Sequence, residues 1–241
     1  MSLRHIIRRL ALAGVALCSL AIGVLYMPSP SAHAQNASGT QFLLTWKATN
    51  SYIPSFYQGK ALPSYGSQIT AALEVVLPDG TFANLSNQPI FWYVDGTVVG
   101  GGTGVQEVTF PPFGTPPSTL SLTVSLPQYP GGAREDKVNI PFVAPVAVIG
   151  APYPAGQFSA NPVSVTAYPY YFGVASPSSL SYSWAVNGQT GTSAENPEVA
   201  NVSLPQGTPS GTSVDISLTI QGVAASTAAT ANQTLTYQSQ L

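Results

Sequence analysis

The sequence carries one stretch twice. Ile90-Phe91-Trp92-Tyr93-Val94-Asp95-Gly96 aligns with Tyr182-Ser183-Trp184-Ala185-Val186-Asn187-Gly188 at an offset of 92. Val108-Thr109-Phe110-Pro111, followed by Gly114-Thr115-Pro116, matches Val202-Ser203-Leu204-Pro205, followed by Gly207-Thr208-Pro209. Leu120-Ser121-Leu122-Thr123-Val124 then matches Val214-Asp215-Ile216-Ser217-Leu218 at an offset of 94. Three blocks in one order at near-constant spacing mean one folding unit present twice, with a period of about 93 residues.

The unit is all-β. Short alternating segments occur at 41–46, 69–77, 90–94, 120–126, 138–143, 163–167, 180–186, 214–220 and 234–237, and no long stretch after the first 34 residues keeps a 3.6-residue period. Pro78-Asp79-Gly80, Asp95-Gly96 and Asn187-Gly188 are turn signals, because Gly, Asn and Asp tolerate the positive φ of tight hairpins. A period of this size agrees with the ~100 residues of an Ig-type sandwich. Trp92 alternates with Ile90 and Val94, and Trp184 with Tyr182 and Val186, so each set shares one face of a strand. That face is the expected core, with Trp92 and Trp184 as its anchors. Two tandem Ig-like antiparallel sandwiches are therefore expected, over 41–143 and 144–241. The stretch 139–149 is too apolar for a flexible linker, which predicts one strand running almost directly into the next and a semi-rigid pair.

Ahead of the repeat stand Arg4, Arg8 and Arg9, an apolar run of 18 residues from Leu10 to Met27, and the small-residue ending Ala32-His33-Ala34. The pattern is that of a secretory signal peptide over 1–34, a signal helix cleaved after Ala34, with a short polar tail at 35–40. The rival reading is an anchor that stays uncleaved, since the run lies at the lower edge of what spans a bilayer. Both His residues and the only cysteine, Cys18, lie in this leader. Beyond it four basic side chains, Lys47, Lys60, Arg134 and Lys137, face nine acidic ones, a net charge of −5. Nucleic acid needs clustered Lys and Arg and is excluded as a partner, and a membrane is met only through an uncleaved leader.

The strand and turn at 182–188, with Pro145-Val146-Ala147-Val148-Ile149 upstream, resemble the Ig-like and PKD-like modules of bacterial surface proteins. The Gly- and Asp-rich turn of true PKD modules is absent. The resemblance implies a spacer, an adhesive unit or a contact in a larger envelope assembly.

The residue inventory narrows the chemistry open to the chain after Ala34. With no His or Cys after Ala34, a Ser-His-Asp triad, a Cys nucleophile and a His-held metal are all excluded. Calcium needs only carboxylates and carbonyls converging from loops and is harder to exclude, but no Asp-x-Asp-x-Asp run is present, and no enzyme activity, cofactor or metal is expected. A two-carboxylate hydrolase needs acids facing each other about 5–10 Å apart, whereas Asp79, Asp95 and Glu195 stand beside turn residues. Arg134-Glu135-Asp136-Lys137 reads as a hairpin loop of mixed charge, and the Asn-x-Ser/Thr sequons at Asn36, Asn84, Asn201 and Asn232 follow from composition. Tyrosine is the residue type that points to a surface. Tyr52, Phe56, Tyr57 and Tyr65 crowd the first unit, and Tyr153, Tyr168, Tyr170, Tyr171 and Phe172 the second. Tyr168, Tyr170, Tyr171 and Phe172 form the candidate binding surface for a protein partner or a glycan. The competing expectation is that these rings cover the sandwich ends and the junction. Coplanar exposed rings favour sugar, and an open apolar edge strand favours assembly.

Overall fold

The computed structural model describes residues 39–153, 155–191, 196–222 and 227–239. The expected leader, most of the polar tail and Glu195 lie outside the described residues. Gly39–Leu241 form one compact unit.

Seven strands precede residue 143: β1 (Gln41–Thr49), β2 (Gln68–Val76), β3 (Pro89–Val94), β4 (Thr97–Thr103), β5 (Glu107–Phe110), β6 (Ser118–Leu126) and β7 (Arg134–Phe142). Eight follow: β8 (Val146–Gly150), β9 (Gln157–Phe158), β10 (Val163–Tyr170), β11 (Ser181–Val186), β12 (Gln189–Gly191), β13 (Val199–Val202), β14 (Ser213–Gln221) and β15 (Ala228–Tyr237). Among the described residues the helical content is one 3-10 turn, Pro177–Ser179. In the first half a sheet ordered β1-β2-β5 accompanies one ordered β4-β3-β6-β7, and in the second β8-β10-β13 accompanies β12-β11-β14-β15-β9. All pairs are antiparallel except β9 with β15. Apart from β9, the two halves share one strand order. Each half is an Ig-like β-sandwich.

Alternation explains the burial. Leu120, Leu122, Val124 and Leu126 of β6 point inward, as do Val214, Ile216, Leu218 and Ile220 of β14. Two clusters with no residue in common result, one per sandwich. Trp92 (0% exposed) and Trp184 (2%) sit at their centres. Each indole N–H would be costly to bury unpaired and donates to a carbonyl 13 residues further on: Trp92 Nε1 to Val105 O at 2.9 Å and Trp184 Nε1 to Pro197 O at 3.0 Å. The hairpin turns repeat as closely. Asp95 (φ 48°) and Asn187 (φ 50°) lead Gly96 and Gly188, also at positive φ, as a type I′ turn requires. Asp95 Oδ1 accepts from Ser121 N and Asn187 Oδ1 from Asp215 N, both at 2.9 Å. A further shared bond closes each sandwich, Val143 N to Pro63 O at 3.0 Å and Gln238 N to Phe158 O at 2.8 Å, both partners displaced by 95 residues.

One expectation is corrected, and one strand carries no signal in the sequence. Arg134-Glu135-Asp136-Lys137 is the start of β7, in register with β6 from Leu126↔Arg134 onward, and not a loop. Its charges line an edge strand, where they discourage pairing with foreign strands. Gly100-Gly101-Gly102, which carries no strand signal, lies in β4. There β3 supplies the pairing, and a Cβ on Gly101 would stand 2.7 Å from Phe91 Cδ1, so the ring takes the place of a side chain.

Candidate functional site

Three residues, Val143, Ala144 and Pro145, separate β7 from β8. The connection is reinforced by two loops, residues 50–67 between β1 and β2, and residues 171–180 between β10 and β11. Connections in compact domains usually take 4–6 residues, so the first is unusually long.

The loops meet through backbone first. Tyr52 N donates to Phe172 O at 2.8 Å and Tyr171 N to Tyr52 O at 2.7 Å, an antiparallel bridge between the sandwiches. Ser64 Oγ donates to Tyr171 O, and the hydroxyls of Tyr57 and Tyr171 share a hydrogen bond of 2.7 Å. The N–H, the carbonyl and the hydroxyl of Tyr171 are thus all paired with the first sandwich. This explains how a non-glycine residue is held at φ 59°, which costs about 1–2 kcal/mol left alone. Ser64 is itself fixed by a turn in which Ser67 Oγ donates to Ser64 O at 2.7 Å and Ser67 N to the same oxygen at 3.2 Å. Gly66 supplies the positive φ of that turn and approaches Gly173 so closely that a Cβ on Gly173 would lie 2.0 Å from Tyr65 O and 2.7 Å from Gly66 C.

Rings complete the joint. Phe56 meets Tyr168 at 5.0 Å and 81°, and Tyr57 meets Tyr170 at 5.5 Å and 80° and Tyr171 at 6.2 Å and 83°. These edge-to-face contacts suit the ring quadrupoles. Burial, and then the hydrogen bond and charges of its tyrosine neighbours, push the Tyr171 phenol up to about 12. Burial, followed by the Glu198 carboxylate, also raises Tyr52 and Tyr182.

Of the candidate residues, Tyr168 and Tyr170 stand half-buried on the outer face of β10, Tyr171 is the keystone of the joint, and Phe172 is fully buried in the second core. Tyr153 lies apart from the joint, against Phe158. Trp92 and Trp184 are core. Sequence reasoning did not single out Ser64, Gly66, Gly173 or the backbone of Tyr52. The signal in the sequence that could have found the first two and Tyr52 is the length of the 50–67 connection. The outer face of β8-β10-β13 is a second surface, uncharged, where Tyr168 and Tyr170 lie opposite Val148 and Val146. Val146 (44%) and Val148 (39%) are exposed, and so is Phe56 (56%) beside Tyr168. Tyr168 leans over Gly150, where a Cβ would be 2.2 Å from its ring. Among the described residues, no three His, Cys, Asp or Glu side chains gather as metal ligands would.

Strand order, paired cores and the joint define a tandem Ig-like β-sandwich protein. No family model matches the chain, and neither does a curated protein. Similar solved structures include the three N-terminal domains of the Highly Immunogenic Outer Capsid protein of bacteriophage RB49, with 15% identity and TM-score 0.43 over 82% of this chain and 59% of that one. The fibronectin(III)-like modules of Clostridium thermocellum CbhA are 14% identical, with TM-score 0.29 over 82% of this chain and 94% of theirs. Bacteroides ovatus SGBP-B, solved with a mixed-linkage heptasaccharide, is 13% identical, with TM-score 0.27 over 83% of this chain and 47% of that one.

Proposed function

We propose that the protein is an exported, non-enzymatic module of the cell surface, a spacer, adhesive unit or envelope-assembly component whose two sandwiches act as one stiff piece. The observation that carries this reading is the joint: a backbone bridge, two side-chain hydrogen bonds and three ring contacts tie loops that flexible tandem modules leave apart. The leader pattern supports export. The absence of His and Cys after Ala34 supports a role without catalysis. Backbone NMR relaxation on the purified protein tests the stiffness. One rotational correlation time for both sandwiches is expected, and two separate times would refute the reading.

A second reading is carbohydrate binding on the outer face of β8-β10-β13, favoured by the uncharged array of Tyr168, Val146 and Val148 with Phe56 beside it. Against it, the ring pairs at the joint are steeply inclined rather than coplanar. A glycan array that is positive and loses its signal on Tyr168→Ala would favour this reading, and a flat array would remove it.

A further inference from the structure

The joint brings together three phenols, Tyr57, Tyr170 and Tyr171, and puts two hydroxyls in direct contact. Tyr57 and Tyr171 lie 114 positions apart in the chain, yet their hydroxyl oxygens are 2.7 Å apart and their ring centroids 6.2 Å. The hydrogen bond holds the two hydroxyls side by side. In a biphenol cross-link the bond forms between the ring carbons beside the two oxygens and the two hydroxyls remain neighbours. The hydroxyls already stand as neighbours, as the product requires, and the rings, with centroids 6.2 Å apart and planes at 83°, must still approach and turn. Both rings are half-buried, which leaves them open to oxidation by electron transfer and screens them from tyrosines of other molecules.

We propose that Tyr57 and Tyr171 are an oxidative cross-linking site that joins the two sandwiches covalently, with a peroxide as the oxidant, used by a haem peroxidase. Each phenol gives up one electron and its hydroxyl proton and becomes a phenoxyl radical. The two radicals couple through the ring carbons next to oxygen, forming one carbon–carbon bond. Each of those carbons then sheds its hydrogen as a proton while its oxygen takes one up, which restores two phenols. Overall two C–H bonds are lost, and two protons and two electrons leave. One hydrogen peroxide accepts them and becomes two waters.

The site makes chemical sense in this chain because Cys18, in the leader segment, is its only cysteine, so no disulfide can staple the sandwiches. Gly59 is a positioning residue for the reaction. A Cβ there would stand 2.4 Å from Cζ and from the hydroxyl of Tyr57, so the phenol rests on bare backbone and any larger residue displaces it. This inference takes the joint from the stiff-module reading and adds chemistry to it.

The test treats dilute purified protein with a haem peroxidase and limiting hydrogen peroxide. Expected are biphenol fluorescence, a monomer lighter by two hydrogens, and a proteolytic fragment linking the Tyr57 and Tyr171 peptides. Tyr57→Phe and Tyr171→Phe each abolish that fragment, and Tyr170→Phe keeps it. Gly59→Ala retains every tyrosine and lowers the yield several-fold. Cross-links found only between molecules, mapped to other tyrosines, or undiminished in Gly59→Ala would each overturn the proposal. The relaxation measurement separates the two readings. A single correlation time without the cross-link refutes this inference alone, whereas two correlation times refute the stiff joint as well.

Discussion

Gly173→Ala addresses the joint at its tightest point. The new Cβ would stand 2.0 Å from Tyr65 O, so the two loops must part by roughly 1.4 Å to reach the 3.4 Å of ordinary contact. Both near atoms of Gly66 are backbone, so no side chain can swing aside. Parting the loops lengthens the Tyr52–Phe172 and Tyr171–Tyr52 bonds, now 2.8 and 2.7 Å, beyond hydrogen-bond range, along with the Ser64–Tyr171 and Tyr57–Tyr171 contacts. At about 1 kcal/mol net for each of four bonds, the coupling between the sandwiches falls by about 4 kcal/mol. The ring pairs add ~0.5–1.5 kcal/mol each where they separate too. The assay is denaturant unfolding followed by hydrogen exchange on peptides from each sandwich. The unmodified protein is expected to lose both sandwiches together, and Gly173→Ala to resolve them into two transitions. Gly191→Ala serves as control, since a Cβ there meets nothing within 4 Å. If Gly173→Ala shifts stability by less than ~0.5 kcal/mol, as an ordinary surface change does, the reasoning about the joint is wrong.

Trp92→Ala and Trp184→Ala should each cost about 3–5 kcal/mol, by cavity formation and a carbonyl left without its indole donor, as read by the denaturation midpoint. Asn187→Ala removes the acceptor for Asp215 N and puts alanine at φ 50°, so a loss of about 1–2 kcal/mol is expected, with Asn187→Gly milder. Tyr171 titrates higher in the fold than its ordinary value of 10.0, so its contribution is complete below pH 10 and is lost as pH rises through about 12. Alkaline unfolding of Tyr171→Phe should show a shallower dependence over that window. Asp79 is held below its ordinary value by the Thr81 hydroxyl and then the Thr81 N–H. Its contribution is present above the ordinary aspartate range and is lost as pH falls through the lowered value, and Asp79→Asn should flatten that acid-side slope.

What could be read along the chain was whatever a few neighbouring residues encode. Alternation marked β6 and β14, and Asp95-Gly96 and Asn187-Gly188 marked the hairpins. β4 escaped because Gly100-Gly101-Gly102 has no strand preference of its own, and its partner β3 and the Phe91 ring hold it extended. β7 escaped at its start because four charged residues look like a loop until β6 pairs with them.

By itself, then, the sequence determined the repeat, the two Ig-like cores around Trp92 and Trp184, and the absence of His and Cys chemistry after residue 34, because periodicity, turn residues and residue inventory are local properties. Only the tertiary structure decided what the tyrosines do. Tyr57 and Tyr171 are 114 residues apart, and no pattern along the chain brings two hydroxyls to 2.7 Å. That distance depends on the path of the 50–67 loop and on two glycines, Gly66 and Gly173, whose missing side chains let one backbone close on another.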